Sequence, residues 1–400
     1  MPVSLTVGDL ALAVLAASLW IVPPAITMWR IRRSRDLVDT PTDVPADRPL
    51  VSVIVPARDE RRNIEPCVRS ALAGRYDALE VVVVDDRSAD GTGDAARAIG
   101  REDPRVRVVE NPELPEGWFG KPWACETGAR AAIGDIFCFT DADARHGPFL
   151  VARAVNAIRA GDLDMLSVAG RQELGSFWER VVQPHVFWMI GSRYGGTDAV
   201  NRSRRVQDKI ANGQCIFVRR DAYAAIGGHG AVRDQVAEDV AIAQRLFAAG
   251  KRTELVVSKE DLTTRMYTSL GEIMAGWRKN VFAGGREAMP GGGLGQMLFP
   301  VLLVLFPILT LAPPIALAVA LAAAAPPWVV LGAALALVAE LATWGAVNRW
   351  MGVPIGYALL FPLGAVVFVV IAVQAIARGS RVEWKGRAYV TTSRAPHTSR

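Results

Sequence analysis

The chain has 400 residues, with 45 basic and 40 acidic side chains for a formal balance of +5, and 51% of it is hydrophobic. Its charges are unevenly spread: residues 297–377 hold only Glu340 and Arg349, and Leu10–Trp29 hold none. A domain of ordinary soluble charge density therefore stands between apolar segments, which excludes a wholly soluble enzyme and a carrier built only of membrane helices.

In chain order, residues 1–30 read as an N-terminal membrane anchor. Leu10–Trp29 is just long enough to span, and Pro23-Pro24 marks a kink. No basic stretch precedes it and no small-residue cleavage site follows, so the anchor is expected to be retained. Arg30, Arg32, Arg33 and Arg35 come next, whereas residues 1–9 lack Lys and Arg. The positive-inside rule then places the N-terminus outside and the following domain in the cytoplasm of a multi-pass cell-membrane protein. Residues 31–49 read as a linker.

Residues 50–285 alternate short β-branched runs with helical stretches. The predicted strands are Val51–Val55, Leu79–Val84, Arg105–Val109, Asp135–Thr140, Met165–Val168, Cys215–Val218 and Leu255–Val257, with helices such as Trp123–Ile133 and Asp239–Ala249 between them. That order implies an α/β fold, a mainly parallel sheet with helices on both faces, whose ligands bind at the carboxyl ends of the strands. Cys67, Cys125, Cys138 and Cys215 have no CxxC spacing and predict neither zinc nor disulfides. His146, His185 and His229 have no metal spacing either and read as structural or exposed.

Gly284, Gly285 and Gly291–Gly293 mark a flexible joint, with residues 286–296 as a Gly-rich linker and interfacial segment. Residues 297–377 form a C-terminal membrane region with apolar blocks at 297–323, 327–347 and 355–377. Three crossings would leave the tail outside. Residues 297–326, broken by Pro313-Pro314, have room for a hairpin or re-entrant piece that returns it to the cytoplasm. The tail, 378–400, carries Arg378, Arg381, Lys385, Arg387, Arg394 and Arg400 against Glu383, which equals the whole basic excess. Basic groups beside apolar segments suit anionic lipid headgroups, so no nucleic-acid partner is expected.

The polar residues at strand ends carry the chemistry. The first strand ends in Pro56-Ala57-Arg58-Asp59-Glu60, the second in Asp85-Asp86, the fourth in Asp141-Ala142-Asp143, and Glu238-Asp239 opens a later helix. Any one acid has a plain structural reading, as a helix cap or a first-turn residue. Four clusters at one sheet edge point to a site. Asp141 and Asp143, two residues apart as the chain leaves a strand, suit Mg2+ or Mn2+, which take oxygen ligands and bridge to substrate phosphates. Asp239, far from them in sequence, suits a general base, with the helix N-terminus keeping it ionised. The aromatic stretch Phe177–Met189 has two readings, an amphipathic core helix or a surface dipping into the bilayer.

VSVIVPARDE at 51–60, VVVVDDRSADGT at 81–92, TDAD at 140–143 and Glu238-Asp239 together resemble the inverting family 2 glycosyltransferases of the GT-A fold. GWFGKPWA at 117–124 and Arg265-Met266-Tyr267 resemble a membrane subgroup acting on carotenoid acids, hopanoids or sphingolipids. The resemblance implies transfer of one sugar from a nucleotide sugar to a membrane lipid. It assigns Pro56, Ala57, Glu60 and Asp86 to the nucleoside of a UDP-sugar, and Lys121 to its diphosphate. Asp141 and Asp143 fall to the sugar and metal, and Asp239 to the base; Arg58 is assigned nothing. Processive members carry a Q/R-x-x-R-W motif. Here the region reads Ala275–Asn280 without it, so Glu238, Trp277 and Arg278 match acceptor or diphosphate roles only loosely.

Three other readings compete. A polyprenyl-phosphate sugar synthase would use the same donor site, and a non-catalytic sugar-nucleotide-binding scaffold would keep a dead one. Gly91-Thr92-Gly93-Asp94-Ala95-Ala96 matches a dinucleotide fingerprint, with Glu110 as the ribose acid. Those glycines stand too far beyond Asp85 for the tight strand-to-helix turn, and this reading leaves Asp141, Asp143 and Asp239 unexplained.

Overall fold

A computed structural model describes residues 5–44, 47–287, 289, 292–379, 381–384 and 387–390. In chain order these form α1 (Val7–Ile31), β1 (Val51–Ala57), α2 (Ile64–Leu72), β2 (Leu79–Asp85), α3 (Thr92–Glu102), β3 (Val106–Glu110), α4 (Gly120–Ala131), β4 (Ile136–Thr140), β5 (Ala144–His146), α5 (Leu150–Gly161) and β6 (Met165–Gln172). The chain continues through α6 (Phe177–Tyr194), α7 (Thr197–Arg202), β7 (Cys215–Arg219), α8 (Arg220–Ala225), α9 (Glu238–Ala248) and β8 (Thr253–Thr264). It ends with α10 (Leu270–Glu287), α11 (Gly292–Ala322), α12 (Pro327–Trp350), α13 (Phe361–Arg378), β9 (Arg381–Trp384) and β10 (Arg387–Val390). The last ten residues of the expected basic tail lie outside the described residues.

Two compact units result: one from Met1–Arg33, Leu174–Ala199 and Tyr267–Ala377, the other from Ser34–Glu173, Val200–Met266 and Arg378–Arg400. The second unit is built on an eight-stranded sheet in the order β3-β2-β1-β4-β7-β6-β8-β5. Strands β1 to β4 pair in parallel, as does β6 with β8, while β7 runs antiparallel to both its neighbours. Both faces are covered, which is why β1 is buried along nearly its whole length and apolar but for Ser52, whose hydroxyl is paired with Glu80 and the Gly134 amide. Val51, Val53 and Val55 pack with α2, α3 and α5 on one face, and Ile54 packs with α4, α8 and α9 on the other. All seven predicted strands are present. The eighth, β5, is three residues long and too short to leave a periodic signal; it pairs with the far end of β8.

The first unit is helical. Among the described residues, four helices are long and apolar enough to cross a membrane: Val7–Ile31, Gly293–Ala322, Pro327–Trp350 and Ile355–Arg378. The expected hairpin at 297–326 does not form. Helix α11 runs unbroken through Pro300, Pro307, Pro313 and Pro314. A turn in that apolar stretch would strip several backbone groups of partners, whereas each proline in a helix removes only one bond. Gly284 and Gly285, expected in a joint, lie inside α10. A Cβ on Gly285 would come 2.2 Å from the Phe299 ring, so this glycine serves close helix approach. In α6, Val181, Val182, Val186 and Trp188 are buried and His185 stacks on Trp344 at 3.9 Å, while Phe177 stays exposed. This stretch is thus mostly packed, with an exposed aromatic start.

Candidate active site

The carboxyl ends of β1, β2 and β4 lie at one edge of the sheet, because these strands are parallel neighbours with Ala57 opposite Asp85. The loops leaving β1 and β2 are tied together there. Asp59 donates its amide to Ser88 Oγ at 3.0 Å and accepts from the Ala89 amide at 2.9 Å. Asp59 and Arg87 both have left-handed backbone, φ 51° and 60°, a strain often held where a loop serves a ligand. Asp86 is buried: its amide donates to Ala57 O at 2.8 Å and its Oδ1 accepts from Asn111 Nδ2 at 2.8 Å. Arg58 donates to the Asp86 carbonyl at 2.7 Å and stands 3.9 Å from its carboxylate. Glu60 accepts from Asn63 Nδ2 at 2.7 Å, and its amide donates to Thr92.

The glycines of the competing dinucleotide motif have local causes. Gly91, at φ +87°, caps α3 in left-handed backbone, and a Cβ on Gly93 would fall 2.0 Å from Asp85 Oδ2. Close carboxylate approach and helix capping account for both without a bound pyrophosphate.

Lys121, in the first turn of α4, joins two of the acidic clusters. Its Nζ lies 2.8 Å from Asp141 Oδ1 and 2.8 Å from Glu238 Oε1. Burial works against its charge, but the carboxylates of Asp141, Glu238 and Asp239 hold the ammonium well above the ordinary lysine range. Asp239 Oδ2 accepts from the Gly213 amide at 2.8 Å, and its Oδ1 from the Val240 amide at 2.8 Å. A Cβ on Gly213 would stand 2.9 Å from Asp239 Oδ2 and 3.3 Å from Lys121 Nζ, so Gly213 lines both groups. Asp239 sits in the first turn of α9 as expected, yet its carboxyl is well above the ordinary range for Asp. Burial and the Glu238 charge outweigh Lys121 and the two amides, and the carboxyl is pushed up to about 6.

Asp143 completes the cluster. Burial first, then the charges of Asp141 and Glu60, push its carboxyl up to about 7, and its buried Oδ1 has no hydrogen-bond partner among the described residues. An unpartnered carboxylate oxygen among other carboxylates fits a divalent cation. Among the described residues no group of three or more His, Cys, Asp and Glu could hold one alone. Two carboxylates with substrate phosphates supplying further oxygens is the arrangement Mg2+ commonly takes.

The structure thus gathers Lys121, Asp141, Glu238 and Asp239 around one point, sets Glu60 within electrostatic reach of Asp143, and stacks Pro56, Ala57 and Asp86 at the adjoining strand ends. Trp277 and Arg278 belong to the helical unit. There Trp277 packs edge-on against Phe187 and Tyr267, and Arg278 donates to Gln374 Oε1 at 3.3 Å. Sequence reasoning left Arg58 without a role and missed Asn111 and Gly213. Only Gly213 had a readable signal, the Asn212-Gly213 turn just before β7.

Residues 52–227 match the family model described as Glycosyl transferase family 2. The chain is 24% identical over 253 residues to a 4,4'-diaponeurosporenoate glycosyltransferase of Staphylococcus haemolyticus, covering 60% of this chain and 63% of that one. It is 30% identical over 168 residues to a dolichol-phosphate mannosyltransferase of Pyrococcus furiosus, covering 40% and 44%. The matched stretch therefore spans less than two thirds of either relative. Among solved structures, a mannosyltransferase of Pyrobaculum calidifontis in complex with GDP-Man and Mn2+ superposes with a TM-score of 0.57 at 24% identity, over 92% of this chain and 99% of that one.

Proposed function

Since the chain carries a glycosyl transferase family 2 domain on a GT-A-type sheet, we propose that it transfers a single sugar, with inversion, from a nucleotide sugar to a lipid acceptor held in the membrane. The observation that carries this reading is the cluster of Asp141, Lys121, Glu238 and Asp239, three carboxylates around one ammonium at the ligand edge of the sheet. In it, Asp86 and Glu60, with Pro56 and Ala57 beside them, hold the nucleoside, and a UDP-linked donor is favoured. Lys121 lies against the diphosphate, and Asp141 orients the sugar. Asp141 and Asp143 would hold Mg2+ or Mn2+, which offsets charge on the departing diphosphate.

Asp239 takes the proton from the acceptor hydroxyl. A base that titrates near 6 is ionised at neutral pH yet basic enough to accept a proton in the transition state. The Gly213 amide fixes Oδ2, and Glu238 sets the charge around it. The four long apolar helices support a membrane-borne acceptor. The basic run after α1 supports a cytoplasm-facing domain. The likeness to a dolichol-phosphate mannosyltransferase supports a second reading, a phosphate acceptor that is already anionic and needs less help from a base.

Purified protein with UDP-glucose or GDP-mannose, Mn2+ and a membrane lipid extract tests both. Sugar transferred to lipid by the unsubstituted protein and lost in Asp239→Asn supports the hydroxyl acceptor. Near-normal transfer by Asp239→Asn supports the phosphate acceptor. Tight donor binding without transfer to any lipid fraction would point to the scaffold reading. A nucleotide at about 100 times its dissociation constant stabilises by about 2.7 kcal/mol, so thermal unfolding with UDP and GDP reads the base preference.

A further inference from the structure

The helical unit contains information on its own sidedness. Helices α1 and α12 run in the same direction: the Gly332 Cβ position lies 3.2 Å from Ala13 O and 3.3 Å from Ala16 Cβ, and further along Ile31 clusters with Trp344 and Val347. Both end in the same chemistry, Trp29-Arg30 with Arg32 and Arg33 on one, Arg349-Trp350 on the other. Tryptophan and arginine at helix ends mark the headgroup level of a bilayer, so this end of the unit is an interface. Helix α11 returns between them; Trp20 of α1 donates its indole N–H to Leu309 O at 3.0 Å.

Helix α6 lies at this same end. The Gly191 Cβ position is 2.7 Å from Ile31 Cδ1, a Cβ on Gly195 would come 2.5 Å from Arg30 Nε, and Trp188 belongs to the Ile31 cluster. Helix α10 follows it, since Trp277 packs on Phe187 with ring centres 5.7 Å apart.

Helix α13 touches this interfacial set at both of its ends. Near its start, Phe361 joins the Ile31 cluster, and a Cβ on Gly364 would come 2.3 Å from the His185 ring and 2.4 Å from Val181 O. Near its finish, Gln374 accepts from Arg278. Phe361 to Gln374 is about 20 Å of helix axis. Were α13 upright, Arg278 would lie some two thirds of the way through the hydrocarbon, where a guanidinium is strongly disfavoured. Yet its neighbour Trp277 is held at the headgroup level through Phe187. With the helical turn Ile355–Leu360 before it, α13 belongs to a run long enough to span, so length does not decide its path. One stripe of it, Leu363, Val366, Val370 and Val373, is exposed and apolar, while Gly364, Phe368, Ile371 and Ala375 are buried.

We propose that α13 does not cross the membrane but lies along the leaflet at the basic ends of α1 and α12, with its Leu363–Val373 stripe in the acyl chains. Among the described residues the chain then crosses three times, by α1, α11 and α12, and Arg378 stays on the side of Arg30, Arg32 and Arg33. The element that returns the tail is α13 and not a hairpin in α11. This inference rests on the membrane reading of the helical unit and not on the catalytic one.

Depth measurement in full-length protein tests it. Single nitroxides are placed through Val366→Cys and Val373→Cys in phosphatidylcholine–phosphatidylglycerol liposomes, and collisions with oxygen and a nickel chelate give the depth of each. All four native cysteines are buried and do not compete for label. The two labels are expected at equal depth. Depths about 10 Å apart, the rise of seven helical residues, would overturn the proposal. Leu15→Cys on the exposed face of α1 is the control. If that label too is water-accessible, the membrane reading itself fails, whatever α13 does. A C-terminal epitope on the otherwise unchanged chain gives a second readout in sealed inside-out vesicles. Trypsin should remove the epitope whenever it cuts the sheet domain, and an epitope protected while the domain is cut sinks the proposal.

Discussion

At the scale of single residues, the site is governed by how one ammonium is shared. Lys121 is among the groups that hold the Asp239 carboxyl down, against burial and Glu238. Transfer should therefore fall as pH drops through about 6, since the base is lost when Asp239 is protonated; a pH profile of kcat/KM reads this limb directly. Lys121→Met removes the restraining charge, so the same limb should move to higher pH. A limb that stays in place would show that Asp239 is not the titrating base. Asp239→Asn should cost about 100-fold or more in kcat, as removal of a general base typically does. Asp143 carries the opposite lesson. Its folded carboxyl titrates near 7, above the ordinary value for Asp. Below that ordinary value both states are protonated and no penalty arises; it grows as pH rises from about 4 to 7, because the folded state then binds more protons than the unfolded one. Asp143→Asn should raise the metal-free Tm at pH 7.5 by a few degrees, roughly 1 kcal/mol or more, while abolishing any Mn2+-dependent stabilisation. Calorimetry at pH 4 and 7.5, with and without Mn2+, checks both halves.

At the scale of elements, the seven longer strands were legible because each holds a run of β-branched, aromatic or other apolar residues, and β1 to β4 lead into acids. A doubly covered parallel sheet leaves that pattern in any sequence. The acids at its edge were legible for the same reason: a carboxylate directly after an apolar strand has nothing local to do. The roles of Arg58 and Asn111 were not, because what they touch comes from strands and loops distant in the chain, and Gly213 was legible only as a turn. Nor was the elevated Asp239, since proximity to a helix N-terminus is a sequence fact whereas burial and the closeness of Glu238 are spatial ones. The glycines divide likewise. Gly91 and Gly93 looked like a phosphate loop on paper, and only the Asp85 carboxylate against Gly93 explains the second. Gly93→Ala should therefore destabilise the sheet domain by about 1–3 kcal/mol, as overpacking does, seen as a lower denaturation midpoint. An unchanged midpoint would mean that Asp85 has room to move. Gly213→Ala should leave stability nearly unchanged and lower kcat, because its methyl group would press on Asp239 and Lys121.

At the scale of the whole molecule, the apolar blocks were visible from charge alone, but their paths were not. Prolines in α11 looked like a break because in water they usually are one; within an apolar helix the alternatives expose more backbone than the prolines do. The protein should resist extraction from membranes by 1 M salt or alkaline carbonate and require detergent, which fractionation shows at once. The pairing of α1 with α12 has a further meaning for how the chain is made. Ala13 and Ala17 are fully buried, and Gly332 abuts Ala13 and Ala16, so α1 carries a small-residue groove shaped for a helix encoded about 300 residues downstream. At roughly 5–20 residues per second of synthesis, α1 waits ~15–60 s before that neighbour emerges. Through that interval the sheet domain has time to fold on a tether whose groove is still open, so the first helix to be made is among the last to find its partner.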